Sequence, residues 1–120
     1  MPREFSRRLR VGAELQRILN ELLLAEVKDP RLDGVRITNV DVSGDLGVAK
    51  VYYAALQPDQ DTAPCELAFS KAKGFLRART GQLLRLRRVP ELRFTKDLSS
   101  RDGMALTRLI DELSDTRTPD

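Results

Sequence analysis

The sequence predicts an α+β fold in which helices cover a three-stranded sheet. The segment from Phe5 to Lys28 carries apolar residues at helical spacing, and two runs rich in β-branched residues follow at Val35 to Val42 and Val48 to Leu56. A second helical stretch near residues 65–87 precedes a third strand, VPELRFTKD. At 120 residues, of which 41% are hydrophobic, the chain can bury one domain-sized core. The predicted order is α-β-β-α-α-β with a short C-terminal helix.

The first three elements follow from periodicity and from turn residues. Apolar residues spaced three and four apart, as at Leu15, Leu19 and Leu22, are typical of an amphipathic helix. Pro30 should end that helix, because proline disfavours the helical conformation of the residue before it. The turn sequence SGDLG between two strand-like runs predicts an antiparallel hairpin.

The second helical stretch should begin at Thr62 as N-cap, with Pro64 in its first turn. Gly74 is expected to interrupt it, because glycine is a poor helix former, and the helix should then resume to about Arg87. The final strand is expected to begin at Val89-Pro90, where proline suits a strand start or an edge. A helical wheel places one set of apolar side chains on a common arc: Phe75, Leu76, Leu83 and Leu86.

Apolar residues near the C-terminus predict a last short helix around residues 104–113. We expect one domain over residues 1–113 and a flexible tail over residues 114–120.

Positive charge is concentrated in two places. Residues 71–93 hold eight basic side chains against one acid, Glu91, and the first ten residues add further arginines. A one-sided block of this kind indicates a polyanion-binding surface, although most charge runs are solvated helix faces. The candidate RNA contacts are Arg7, Arg8, Arg10, Lys71, Lys73, Arg77, Arg79, Arg85, Arg87, Arg88 and Arg93.

The composition argues against an enzyme. The chain has no histidine, which removes the commonest general base and a common metal ligand. Cys65 is the only cysteine and is interpreted as a small helix residue in a reducing cytoplasm. No catalytic residue, metal or cofactor is predicted, and no apolar run approaches the roughly 20 residues that cross a membrane.

The tetrapeptide from Gly44 to Gly47 matches G-x-x-G, the loop with which K-homology (KH) domains clamp a nucleic-acid backbone. That clamp lies between two helices. This copy lies between two strands and contains Asp45, which would repel a phosphate. We therefore interpret it as a hairpin turn.

Four fragments occur along the chain in this order: VKDPRL at 27–32, AKVY at 49–52, AKGFLR at 72–77 and LRLRRVPELRF at 84–94. Together they resemble the ribosome-binding factor A family, bacterial maturation factors of the small ribosomal subunit, from about Arg7 to Phe94. The resemblance implies a type II KH-like fold whose helix-kink-helix is formed around Ala72 and Gly74. It further implies a monomer that binds 16S rRNA and the free 30S subunit rather than the 70S ribosome. The implied role is late subunit maturation, including 16S rRNA 5′-end processing.

Aromatic residues make up only 5% of the chain, and one of Tyr52 and Tyr53 should lie in the core. Recognition should therefore depend on phosphates and RNA shape more than on base stacking. Two other functions stay open. One is a protein–protein adaptor that docks through its N-terminal helix and uses the basic block for electrostatic steering; the other is a small RNA-processing enzyme, for which no residue set is found.

Overall fold

The computed structural model of the protein describes residues 3–57 and 60–98. Its elements, in chain order, are α1 (Arg3–Ala25), a 3₁₀ turn (Pro30–Leu32), β1 (Val35–Val42), β2 (Val48–Ala55), α2 (Ala63–Leu84) and β3 (Glu91–Lys96). The predicted C-terminal helix and tail lie outside the described residues.

The sheet has β2 at its centre. β1 pairs with β2 in the antiparallel sense, from Val35 opposite Ala55 to Val42 opposite Ala49, so the predicted hairpin is confirmed. β3 pairs with β2 in the parallel sense, from Val48 opposite Glu91 onward. A parallel partner requires a crossover connection, and α2 provides it.

The core lies between the sheet and the two helices. Leu15 and Leu19 of α1 and Phe69 of α2 are almost fully buried. The ring of Phe69 lies between those of Tyr53 and Phe94, with centroid distances of 4.7 and 4.4 Å. Tyr53 is therefore the core tyrosine of the neighbouring pair, as the sequence predicts for one of them.

Side chains of α1 bind the outer edge of β1. The Asn20 side chain accepts a hydrogen bond from the Ile37 N–H at 2.7 Å and donates one to the Ile37 carbonyl at 3.0 Å. Gln16 donates to the Thr38 carbonyl at 3.2 Å, beside a register shift between Ile37 and Asn39. These bonds satisfy backbone groups that an edge strand otherwise leaves open.

Asp29 organises the turn after α1. Its carboxylate accepts a hydrogen bond from the Arg31 N–H at 3.0 Å and forms an ion pair with the Arg31 guanidinium at 2.7 Å. The guanidinium hydrogen bonds and this backbone bond lower the pKa of Asp29 to about 2. Asp29 is extended at φ −114° and ψ 116°, and α1 ends at Ala25, three residues before the predicted Lys28.

The predicted interruption of the second helix at Gly74 is wrong. α2 runs as a single helix from Ala63 to Leu84, and Gly74 has no left-handed backbone angle. The amide groups after Gly74 therefore belong to the helix and are not presented at a break. Glycine in a helix costs only about 1 kcal/mol relative to alanine, which the packing of the flanking turns can offset. Ala72 packs against the core.

The predicted apolar arc of α2 is also wrong in part. Leu76 is fully buried, but Phe75 and Leu83 keep 43% and 45% of their surfaces exposed. The buried face consists of Cys65, Ala68, Phe69, Leu76 and Thr80, three of which are small. Cys65 is a helix residue, as predicted, and it is buried. Cys65, Ala68 and Thr80 are fully buried, a contribution that a wheel weighted towards large apolar residues misses.

Both ends of α2 differ in detail from the prediction. Thr62 occupies the N-cap position but makes no capping bond through its side chain. Asp61 instead accepts a hydrogen bond from the Ala63 N–H at 3.0 Å, while Pro64 lies in the first turn as predicted. The helix ends at Leu84 and not near Arg87, because Arg85 adopts the left-handed conformation.

Gly12 and Gly74 form a matched pair of helix glycines with opposite surroundings. A Cβ at Gly12 would lie 2.8 Å from the Val40 carbonyl oxygen, whereas a Cβ at Gly74 would have no neighbour within 4 Å. We expect Gly12→Ala to lower the free energy of unfolding by roughly 1–3 kcal/mol, because α1 must move off β1. Gly74→Ala should raise it by up to about 1 kcal/mol. Urea denaturation measures both, and a stabilised Gly12→Ala protein would contradict this packing.

Candidate nucleic-acid interface

A cleft of about 530 Å³ brings together cations that lie far apart in the sequence. Its walls are the first half of α1, the β1–β2 turn and the connection between α2 and β3. Four of the predicted RNA contacts line it, namely Arg7, Arg10, Arg87 and Arg88. We call this site the arginine cleft.

The α1 wall follows from helical spacing. Arg7, Arg10 and Glu14 are separated by three and four residues, which places them along one face of the helix, and all three line the cleft together with Val11. Within the same stretch of α1, Gly12 is a point of close approach between the helix backbone and β1. The α1 wall of the cleft is therefore packed directly against the sheet.

The α2–β3 connection folds back onto α2. Arg85, at φ 51° and ψ 40°, turns the chain at the helix end. Arg77 donates a hydrogen bond to the Val89 carbonyl at 2.9 Å. A Cβ at Gly81 would lie only 2.6 Å from a Val89 methyl group, so a larger residue there would require the Val89 side chain or the connection to move. The connection thus holds Arg87 and Arg88 beside α1.

The β1–β2 turn forms the third wall. Asp45 accepts hydrogen bonds from the Ser43 hydroxyl at 2.7 Å and from the Gly47 N–H at 2.9 Å. These bonds lower the pKa of Asp45, and the bond from the Ser43 hydroxyl has the larger effect. The Gly47 carbonyl accepts a hydrogen bond from the Glu91 N–H at 2.9 Å, which ties the turn to β3. The Gly44–Gly47 tetrapeptide is therefore a hairpin turn, as predicted.

A second group of predicted contacts lies along α2 and the start of β3. Lys73 and Arg93 both approach Glu91, with nitrogen–oxygen distances of 3.8 and 3.1 Å. These are exposed pairs, and such pairs contribute little to stability. Arg77 stands beside them through its bond to Val89.

Three predicted contacts lie elsewhere. Arg79 forms a two-point ion pair with Glu26, both distances being 3.0 Å, and these hydrogen bonds lower the pKa of Glu26 and raise that of Arg79. The positive charge of Lys71, at the same end of the molecule, also helps to lower the pKa of the Asp29 carboxylate. Arg8 donates to the Val42 carbonyl at 2.8 Å. The structure therefore does not gather all eleven cations on one surface.

Sequence reasoning missed the other components of the arginine cleft. Glu14 could have been found from its spacing to Arg10 on a helix. Asp45 and Leu46 carry no such signal, because they meet the arginines only through the tertiary fold.

No group of metal-ligating side chains was found among the residues the structure describes. Burial raises the pKa of the Cys65 thiol. Neither of the two described helices has the length and apolar character to cross a membrane.

The architecture has counterparts among solved structures. The crystal structure of ribosome-binding factor A from Thermus thermophilus matches with a TM-score of 0.67 at 31% identity, covering 74% of this chain and 94% of that one. Coordinates of the Thermus thermophilus factor fitted into a cryo-EM map of a 30S–RbfA complex match with a TM-score of 0.62 at 33% identity, over 73% and 92% of the two chains. The protein is an α+β domain of the type II KH-like class.

The sequence comparisons narrow this class to a family. A family profile for ribosome-binding factor A matches residues 7–110. The ribosome-binding factor A of Thiobacillus denitrificans is 43% identical over 111 residues, which span 92% of this chain and 90% of that protein. The chain belongs to the ribosome-binding factor A family, as its four sequence fragments indicate.

Arg85 supplies a test of how the α2–β3 connection is built. A left-handed residue other than glycine is strained by roughly 1–2 kcal/mol, and glycine is the usual residue at this helix end. Arg85→Gly should therefore raise the free energy of unfolding by about 1 kcal/mol. Arg87→Gly removes the same charge where φ is not positive and should give no gain. Urea denaturation of both variants measures the difference; equal effects would contradict strain at Arg85.

Proposed function

We propose that this protein is a non-enzymatic maturation factor that binds the free 30S subunit, rather than the 70S ribosome, through 16S rRNA. In this role it acts as a cytoplasmic monomer and supports late subunit assembly and 16S rRNA 5′-end processing. The observation that carries the proposal is membership of the ribosome-binding factor A family. The related Thermus thermophilus coordinates fitted into a 30S–RbfA map support the subunit as the target.

The charges of the arginine cleft fit this proposal. Arg7, Arg10 and Arg87 are exposed, and none has an ion pair or hydrogen-bond partner among the described residues. Cations left without a carboxylate partner are available for phosphates, and their binding releases counterions from RNA. We therefore assign the first phosphate contacts to these three residues. Lys73 and Arg77 of α2 and Arg93 of β3 extend the proposed surface.

The aromatic residues favour recognition of the RNA backbone. Tyr53 and Phe69 are buried, and Phe94 stacks on Phe69. RRM domains stack bases on aromatic rings of a sheet, whereas KH domains clamp the nucleic-acid backbone. Phosphate contacts and RNA shape are therefore the main source of affinity in this proposal.

The contribution of the cleft arginines can be measured by co-sedimentation with purified 30S subunits over a range of salt concentrations. Replacing Arg7, Arg10 and Arg87 together with glutamine should weaken binding and flatten the log–log salt slope by roughly 2 to 3, since each phosphate contact contributes about 0.7–0.9. The control replaces Lys28, Arg36 and Lys50 with glutamine; these are exposed cations outside the cleft, and the variant should retain the slope.

Equal losses in the two triple variants would refute the cleft assignment. A salt-independent interaction with a discrete protein ligand would instead favour the adaptor function. Binding to 70S ribosomes as strong as to free 30S subunits would contradict the proposed target.

The absence of catalysis is tested separately. Homogeneous protein incubated with precursor 16S rRNA, with and without divalent metal, should leave the RNA length and 5′ end unchanged. Primer extension detects both. Multiple-turnover cleavage that persists through further purification would overturn the non-enzymatic assignment.

A further inference from the structure

We propose that the arginine cleft is a subsite for a single unpaired RNA nucleotide whose base carries an amino group. The base occupies the interior of the cleft, and the flanking phosphates lie on its arginine rim. This inference rests on the proposed RNA-binding function and adds to it a defined ligand, because backbone recognition alone requires no cleft.

The dimensions of the cleft suit a ligand of this size. Its volume of about 530 Å³ falls within the range of roughly 300–1,000 Å³ that small-molecule pockets occupy. Walls from α1, the β1–β2 turn and the α2–β3 connection enclose it on three sides. An unpaired nucleotide turned out of its stack can enter such a space, whereas a continuous duplex meets only its rim.

An apolar floor lies among the arginines. It is formed by Val11, Leu46, Leu84 and Leu86, which are partly buried. Val11, Leu46 and Leu84 pack against the core and also line the cleft. A base has an apolar face that packs against aliphatic groups and stacks on arginine guanidinium planes. The floor therefore suits a base.

Two carboxylates determine which base is favoured. Glu14 and Asp45 line the cleft and would repel a phosphate, but carboxylate oxygens accept hydrogen bonds from base amino groups. Asp45 is held by Ser43 and Gly47, and one oxygen of Glu14 is bound to Arg17 at 2.8 Å, which leaves its other oxygen for a ligand. Adenine, cytosine and guanine offer an amino group, and uracil does not.

Backbone strain marks the same place. Leu46 at φ 60° and Arg85 at φ 51° are the non-glycine residues with positive φ in the described part of the chain. Leu46 lines the cleft, and Arg85 lies between Leu84 and Leu86, which also line it. Strained residues often cluster where a ligand is held. Both residues lie at ordinary positions for positive φ, the β1–β2 turn and the C-terminal end of α2, so the strain accompanies the site and is not a separate argument for it.

The test uses the full chain with three hexaribonucleotides, oligo(A), oligo(C) and oligo(U), at low salt. Fluorescence titration should give oligo(A) and oligo(C) affinities roughly fivefold above that of oligo(U), as expected for one amino–carboxylate hydrogen bond. Amide NMR shifts on addition of oligo(C) should be largest at residues 7–14, 44–47 and 84–88. Shifts centred elsewhere, or equal affinity for all three, would overturn the subsite.

Two leucines provide a matched pair of variants. Leu86 lines the cleft, while Leu83 lies on α2 with 45% of its surface exposed and does not line it. Leu86→Glu should weaken oligo(C) binding about tenfold, the effect of losing one base contact, and Leu83→Glu should change it less than about twofold. Unfolding midpoints verify that both remain folded. Equal effects of the two substitutions would refute a base on this floor.

Glu14→Ala tests the amino preference, because alanine removes the hydrogen-bond acceptor that glutamine would keep. The ratio of oligo(C) to oligo(U) affinity should fall towards one, even if overall affinity rises through the loss of a negative charge; an unchanged ratio would remove Glu14 from the assignment. A hexaglutamate peptide that produces the same shifts as oligo(C) would assign the cleft to an acidic protein. Loss of the subsite while salt-dependent 30S binding persists would reject this inference and leave the proposed function intact.

Discussion

The contact between α1 and β1 determines the rest of the architecture. At Gly12 the backbone of α1 lies so close to the Val40 carbonyl that any side chain would clash with it. Two turns later, the Asn20 side chain makes the hydrogen bonds to the Ile37 N–H and carbonyl that a neighbouring strand would otherwise make. Because a helix is rigid over this length, these two contacts fix its direction. Arg7 and Arg10 are thereby held above the β1–β2 turn. The arginine cleft exists because the helix cannot tilt away.

α2 has a different role, because its charges lie on the two flanks of the helix. On one flank Arg79 joins the end of α1 through Glu26, and on the other Lys73 approaches Glu91 of β3. These ion pairs are exposed, so they orient the helix more than they stabilise it. A basic segment that looks uniform in sequence is thus divided between structural contacts and cations that remain open to solvent.

The sequence predicts the elements better than the site. The first two strands are predicted almost to the residue because β-branched runs and a glycine-containing turn are local signals. The predicted interruption at Gly74 is wrong, since a propensity penalty near 1 kcal/mol is smaller than the packing of neighbouring turns. The cleft depends on the tertiary fold, which brings Asp45 and Arg87 to the same site, and no local sequence pattern predicts that they lie together. The close approach of Gly81 to Val89 cannot be predicted from the sequence either, because it depends on how the α2–β3 connection folds back.

The parallel pairing of β2 and β3 has a consequence for the order of folding. Val48 and Glu91 are neighbours in the sheet but are separated by the whole of α2, so closing this contact carries a larger loop entropy than forming the β1–β2 hairpin. β3 is then the strand expected to detach first in local opening. Its departure would uncover the edge of β2, a template for intermolecular pairing, and would release the α2–β3 connection. In the proposed function, RNA bound in the cleft would oppose that opening and so protect the domain from self-association.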